Sequence, residues 1–173
     1  MKKLLSITLT TLLVLFASQA FGQTATESDS ESLNASAEII GTGLEIEEIK
    51  SLDFGILTDD QTRTISYNSD DAGVLDISGE SETDVYFDAP SEITLTRTGE
   101  SETMTIDNLT FGTNTTEDAN SASEYNLNDP VQTSSDTPGQ LYFYVGGDLT
   151  IPANQEPGEY TGNATIEVSY NSF

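Results

Sequence analysis

The sequence predicts an all-β protein, an antiparallel β-sandwich of about 8–10 short strands. Three observations lead there. Short apolar runs alternate with clusters of Gly, Asp, Asn and Ser at the spacing of a sandwich. No stretch beyond the first two dozen residues repeats its apolar positions with a helical period. The clearest segment alternates strictly: Tyr160, Gly162, Ala164, Ile166, Val168 and Tyr170 fall on one face, with Thr161, Asn163, Thr165, Glu167, Ser169 and Asn171 on the other.

The chain opens with a different pattern. Lys2 and Lys3 precede an apolar run from Leu4 to Ala17, and small residues follow at Ser18, Ala20 and Gly22. This is the layout of a secretory signal peptide, expected over residues 1–22. Cleavage after Ala20 or after Gly22 fits the small-residue rule; the second leaves Gln23 first. The run is shorter than the roughly 18 apolar residues of a membrane span, and no later segment of the mature chain reads as one. The protein is therefore expected in the periplasm, at the cell surface or outside the cell. Residues 23–35 are acidic and polar and read as a flexible tail.

A single sandwich domain is expected over residues 36–173. Its strand candidates are Ser36–Ile40, Leu44–Ile49, Leu52–Leu57, Arg63–Tyr67, Val74–Ser78, Val85–Phe87, Ile93–Arg97 and Met104–Phe111. Turn chemistry separates them at Thr58-Asp59-Asp60, at Asn68 to Gly73 and at Asp88-Ala89-Pro90. Gly79-Glu-Ser-Glu-Thr83 recurs as Gly99-Glu-Ser-Glu-Thr103, an echo of shared hairpin-loop chemistry rather than a repeat architecture. Residues 112–139 form a long polar loop, with Tyr125, Leu127 and Val131 as its only large apolar residues. A mobile loop, an extra edge hairpin and a binding loop all fit that composition. Next comes a strand with Leu141, Phe143 and Val145 on one face, continuing through Gly146-Gly147, where a bulge or bend is expected, to Leu149 and Ile151. Pro152 and Glu156-Pro157-Gly158 supply the turn into the final strand.

Composition narrows the function. The chain carries 30 acidic residues against 5 basic ones, a formal net charge of −25. Only Lys50, Arg63 and Arg97 of the basic residues lie beyond the leader. Such a surface repels nucleic acid. It also repels itself unless salt screens it, so adaptation to a saline habitat is one reading and a solubility device the other. In the saline case, thermal stability rises with NaCl over the molar range. The chain has no His and no Cys, which removes Ser-His-Asp and Cys-His nucleophilic sites and ordinary zinc or copper sites. No Gly-rich phosphate loop opens a helix. An enzyme is not expected.

Two binding chemistries remain. Tyr142 and Tyr144 face away from Leu141, Phe143 and Val145, and two exposed tyrosines would form a flat strip suited to a sugar ring or a partner protein; a covering segment from 112–139 is the alternative. Carboxylates in predicted loops, Asp70, Asp71, Glu117 and Asp118 (with Asp59-Asp60 beside another turn), are of the hard-oxygen type that suits Ca2+, although no segment has EF-hand spacing. Sequons at Asn34, Asn108, Asn114 and Asn163 read as chance products of a Thr- and Asn-rich chain. A terminal Phe173 does not make an outer-membrane barrel, because Asn171, Ser169 and Glu167 stand where apolar residues are required.

The closing segment, Leu141-Tyr-Phe-Tyr-Val-Gly-Gly-Asp-Leu-Thr-Ile-Pro-Ala-Asn-Gln-Glu-Pro-Gly-Glu-Tyr-Thr-Gly-Asn-Ala-Thr-Ile-Glu-Val-Ser-Tyr170, is similar to that of a bacterial family described as domain of unknown function 4402. Leu52-Asp-Phe-Gly-Ile56 resembles the family's early motif, and Gly73–Gly79 also fits. The likeness spans most of residues 36–171. It implies a secreted immunoglobulin-like sandwich with no established activity, distantly similar to spore-coat-U-type and archaic chaperone–usher pilus subunits. By that analogy the chain is a non-catalytic structural or adhesive module, with a protein or glycan partner at the cell surface or with self-association. A carbohydrate- or calcium-binding module is the alternative. Residues 23–35 lack the alternating apolar strand that such pilus subunits pass to a neighbour, and the pilins' usual disulfide is absent.

Overall fold

A computed structural model describes residues 43–173. The expected signal peptide, acidic tail and Ser36–Ile40 strand lie outside the described residues. Among those described, the structure is all-β, with eleven strands and one short 3-10 turn at Ala119–Ser121. No helix among them is long and apolar enough to cross a membrane.

The strands are β1 (Glu45–Lys50), β2 (Gln61–Ile65), β3 (Gly73–Gly79), β4 (Asp84–Asp88), β5 (Ile93–Arg97), β6 (Thr103–Asn114), β7 (Ser123–Glu124), β8 (Val131–Gln132), β9 (Gly139–Ile151), β10 (Tyr160–Thr161) and β11 (Glu167–Ser169). They build an eight-stranded antiparallel sheet in the order β1-β3-β9-β6-β5-β10, with β2 also on β9 and β7 also on β6. A three-stranded sheet, β11-β4-β8, packs over it as a sandwich.

β9 organises the large sheet. β6 takes one of its edges, and β2 and β3 share the other in line. Gln61–Ile65 pairs with Ile151 down to Gly147, the chain leaves over residues 66–72, and Gly73–Gly79 resumes from Val145 to Gly139. β2 and β3 thus act as one strand with an excursion in its middle. Gly146 lies where the excursion departs. A Cβ there would run into the Ile65 carbonyl and stand 2.6 Å from the Tyr67 nitrogen, so only glycine lets the two backbones come so close. The bulge expected at Gly146-Gly147 belongs instead to the facing strand. Asp107 pairs with Asp148 and Thr110 with Gly146, so Asn108 and Leu109 together oppose Gly147. Asn108 adopts φ 47° there and donates to Asp148 Oδ2 at 3.0 Å.

The interior divides into two packed groups. One joins the sheets: Ile77, Val85, Phe87, Phe111, Tyr125, Leu141, Phe143 and Val145. Phe87 stacks on Phe143 at 4.3 Å between ring centres, Phe111 stacks on Phe143 from further away, and Tyr125 meets both Phe87 and Phe143 edge-on. Burying one such side chain contributes about 1.5–3 kcal/mol, so this cluster is the main tie between the layers. The other group gathers Phe54, Ile65, Ala72, Val74, Ile106, Tyr144, Leu149 and Ile151.

Three expectations need correction. Leu52–Leu57 is not a strand. Asp53 Oδ1 accepts from the Gly55 backbone N–H at 2.7 Å in a tight turn that seats Phe54 in the core. Arg63 fixes that turn by donating to the Phe54 carbonyl at 2.5 Å and pairing with Asp71 at 3.0 Å. The final strand is not continuous. β10 pairs with β5 in the large sheet and β11 with β4 in the small one, while Gly162–Ile166 crosses between them. Ile166, Val168 and Tyr170 still turn inward, as the alternation predicts. Residues 112–139 are not an open loop; of the three readings, the extra edge hairpin is the one their first part takes. β6 runs on to Asn114, β7 folds back onto it, and β8 crosses to pair with β4. Tyr125, Leu127 and Val131 all pack into the inter-sheet cluster. The Tyr125 hydroxyl accepts from the Phe87 N–H at 3.1 Å and donates to the Asp129 carbonyl at 2.7 Å.

Candidate functional site

The predicted tyrosine strip lies on the outer face of β9, and only half of it reaches solvent. Tyr144 is 1% exposed. The segment that follows β6 packs over it: Ala119 and Ala122 belong to its cluster, and its hydroxyl donates to the Thr116 carbonyl at 3.2 Å. Burial pushes the pKa of this phenol up. Of the two readings, exposure is corrected for Tyr144, and the alternative, a cover from 112–139, is what the structure has there. Tyr142 is half-buried, and its phenol is raised by burial and then by Asp76 and Glu117.

The predicted calcium acids sit on two neighbouring loops. Asp71 pairs with Arg63. Asp70 Oδ1 accepts from the Asn120 side-chain amide at 2.8 Å, and the Asp70 carbonyl accepts from Lys50 Nζ. Asp118 caps the 3-10 turn, accepting from the Asn120 N–H at 3.1 Å and from Ser121 Oγ at 2.7 Å. Asn120 thus ties the Asp70 and Asp118 loops together. The charge of Glu117 bears instead on Asp76, Tyr142 and Tyr144, raising the carboxyl and both phenols. Among the described residues no three or more His, Cys, Asp or Glu side chains are grouped as a metal set.

The structure assembles a row that the residue types alone do not announce. Glu47 of β1, Asp76 of β3, Tyr142 of β9 and Asn114 of β6 are successive register partners across four strands. Asp76 Oδ1 is shut from solvent without a hydrogen-bond partner. Burial first, then Glu47 and Glu117, raise its carboxyl above the ordinary 3.8. A cavity of about 440 Å³ opens beside it, lined by Glu45, Ile46, Glu47, Asp76 and Ser78. Asp76 alternates with the inward Leu75 and Ile77 as an outward polar residue does, so the sequence pattern does not single it out. A larger groove of about 540 Å³ lies at the seam where the last segment changes sheets, between Asp88, Pro90, Glu92 and Ile93 on one side and Asn163 and Glu167 on the other.

The sheet edge is the other exposed feature. Among the described residues β1 ends the large sheet, and all six of its residues are exposed, Ile46 at 43% and Ile49 at 44%. Its three glutamates and the register shift near Ile49 are devices that discourage indiscriminate edge pairing.

The early Leu52–Ile56 turn that plugs the core, the Gly73–Gly79 strand and the closing Leu141–Tyr170 segment are the parts of the chain that carry its family likeness. No curated protein matches the sequence. The family model described as domain of unknown function (DUF4402) matches residues 44–170, and the chain belongs to that family.

Proposed function

We propose that this protein is an exported, non-catalytic module that serves a structural or adhesive role at the cell surface, in the manner of a fimbria-like subunit. The observation that carries the reading is the β1 edge: a full-length exposed strand with two half-exposed isoleucines on a sandwich whose inter-sheet space is filled by Phe87, Phe111, Tyr125 and Phe143. Such an edge offers main-chain hydrogen bonds to a neighbour, and its glutamates restrict which neighbour is accepted. Electron microscopy and fractionation of native material test this. The expected result is surface-associated multimers that disperse when Ile46 and Ile49 are changed to Lys. Uniformly monomeric, unattached protein would contradict it.

A calcium-binding module is the second reading. It draws on Asn120, which brings the Asp70 and Asp118 loops together. Calorimetry with CaCl2 tests it: saturable heat that Asp118→Asn abolishes supports it, and no heat at millimolar calcium opposes it. A sugar-stacking role is weakened by the burial of Tyr144.

A further inference from the structure

Asp76 pairs in register with Tyr142, on the face of the large sheet over which a segment held by a few hydrogen bonds turns back. β6 ends at Asn114, and residues 115–122 turn back across the outer face of β9. The segment is held there by the Tyr144 hydroxyl on the Thr116 carbonyl, by the Asn114 amide on the Asp118 carbonyl at 3.0 Å and Ser121 Oγ at 2.8 Å, and by Asn120 on Asp70. It carries Glu117, whose charge raises the Asp76 carboxyl. The groups facing this point come from every neighbouring element. β1 supplies Glu47, with Glu45 on the same cavity; β9 supplies Tyr142 and Tyr144; the returning segment supplies Glu117 and Asp118; Asp70 reaches the segment through Asn120. Lys50, the cation of β1, is engaged with the Asp70 carbonyl.

We propose that Asp76 is an acid-operated latch: when it takes up a proton, residues 115–122 are held against β9, and when it ionises at neutral pH the same segment loosens. Ionised Asp76 faces Glu47 and Glu117 with one carboxylate oxygen cut off from water and from any donor, a costly arrangement for a charge. The protonated acid removes both repulsions. The direction follows from linkage. A carboxyl raised above its free value in the closed state stabilises that state fully below the free value, near 3.8, and the effect is lost as pH rises through the closed-state value. The gain in closure is bounded by roughly a factor of ten for each unit by which the closed-state carboxyl exceeds the free one.

The test is residue-resolved hydrogen exchange of the full chain at the Asn120, Ser121 and Ala122 amides, expressed as protection factors between pH 7 and just above the free carboxyl value. The latch predicts protection that climbs several-fold as pH falls. It also predicts that Asp76→Asn is protected at neutral pH and flat with pH. Glu117→Gln, a change at an exposed position that leaves the strands untouched, should raise neutral-pH protection and shrink the pH slope, so the proposal stays testable if Asp76→Asn misfolds. Protection that does not change with pH in the natural chain, or an undiminished slope in Glu117→Gln, overturns it.

Discussion

Residues 139–151 and residues 160–170 look alike as sequence and differ as structure. Both alternate apolar and polar residues, and both were expected to be one strand. The first is one: β9 is the most heavily partnered strand of the large sheet, with β6 on one edge and β2 and β3 on the other. The second is divided between two sheets. Alternation reports which side chains turn inward, and it holds for Leu141, Phe143 and Val145 in one and for Ile166, Val168 and Tyr170 in the other, while Gly162 and Ala164 of the same predicted face are exposed. It is silent about which backbone supplies the hydrogen bonds, because a strand that leaves one sheet for the facing sheet can keep its inward face toward the same interior. The local sign of the crossing is small residues: Gly162 and Ala164 stand in the exposed stretch between the two paired pieces, where the alternation places no large apolar side chain.

If β9 is the centre and the last segment a seam, substitutions should rank accordingly. Phe143→Ala removes the ring that Phe87, Phe111 and Tyr125 all touch, with an expected loss of about 3–5 kcal/mol in urea unfolding. A loss below that of Val168→Ala, whose side chain is only half-buried, would reverse the ranking. Gly146→Ala and Gly162→Ala sharpen the comparison. An added Cβ collides with backbone at both places, the Ile65 carbonyl in one and the Thr94 carbonyl in the other. Gly146 is fixed between paired strands, so about 1–3 kcal/mol is expected there, and less at Gly162, whose exposed segment can shift. The smallest effect should come from Tyr170→Phe. Its hydroxyl accepts from the Glu80 N–H at 2.8 Å, and the expected cost is about 1 kcal/mol.

The fold class was legible because β9, β3, β5 and β4 each carry their own alternation and turn signals. Ile93–Arg97 coincides with its predicted bounds, and Val85–Phe87 differs by one residue at each end. The Leu52–Leu57 segment was misread because apolar content alone does not separate a strand from a plug. Asp53 closes a turn, and Arg63, distant in sequence, holds it. Residues 112–139 were opaque for a related reason: their order depends on single contacts to distant elements, Tyr125 on Phe87 and Thr133 Oγ1 on the Glu80 carbonyl at 2.6 Å. Of the candidate site residues, Tyr142 and Tyr144 were placed on the correct strand face, and the cover from 112–139 was one of the two readings, though composition could not say that it closes over Tyr144 and leaves Tyr142 half-buried. The Glu47–Asp76–Tyr142 row depends on strand order, which alternation does not encode.

Cross-strand contacts of the last segment, measured by amide and Hα nuclear Overhauser effects on the full chain, probe the sandwich most directly. Two separated sets are predicted, Tyr160 with Arg97 and Val168 with Phe87, and none linking Val168 to β5. A single unbroken ladder from Tyr160 to Tyr170 along one neighbouring strand would contradict the two-sheet arrangement on which the packing and both site readings depend.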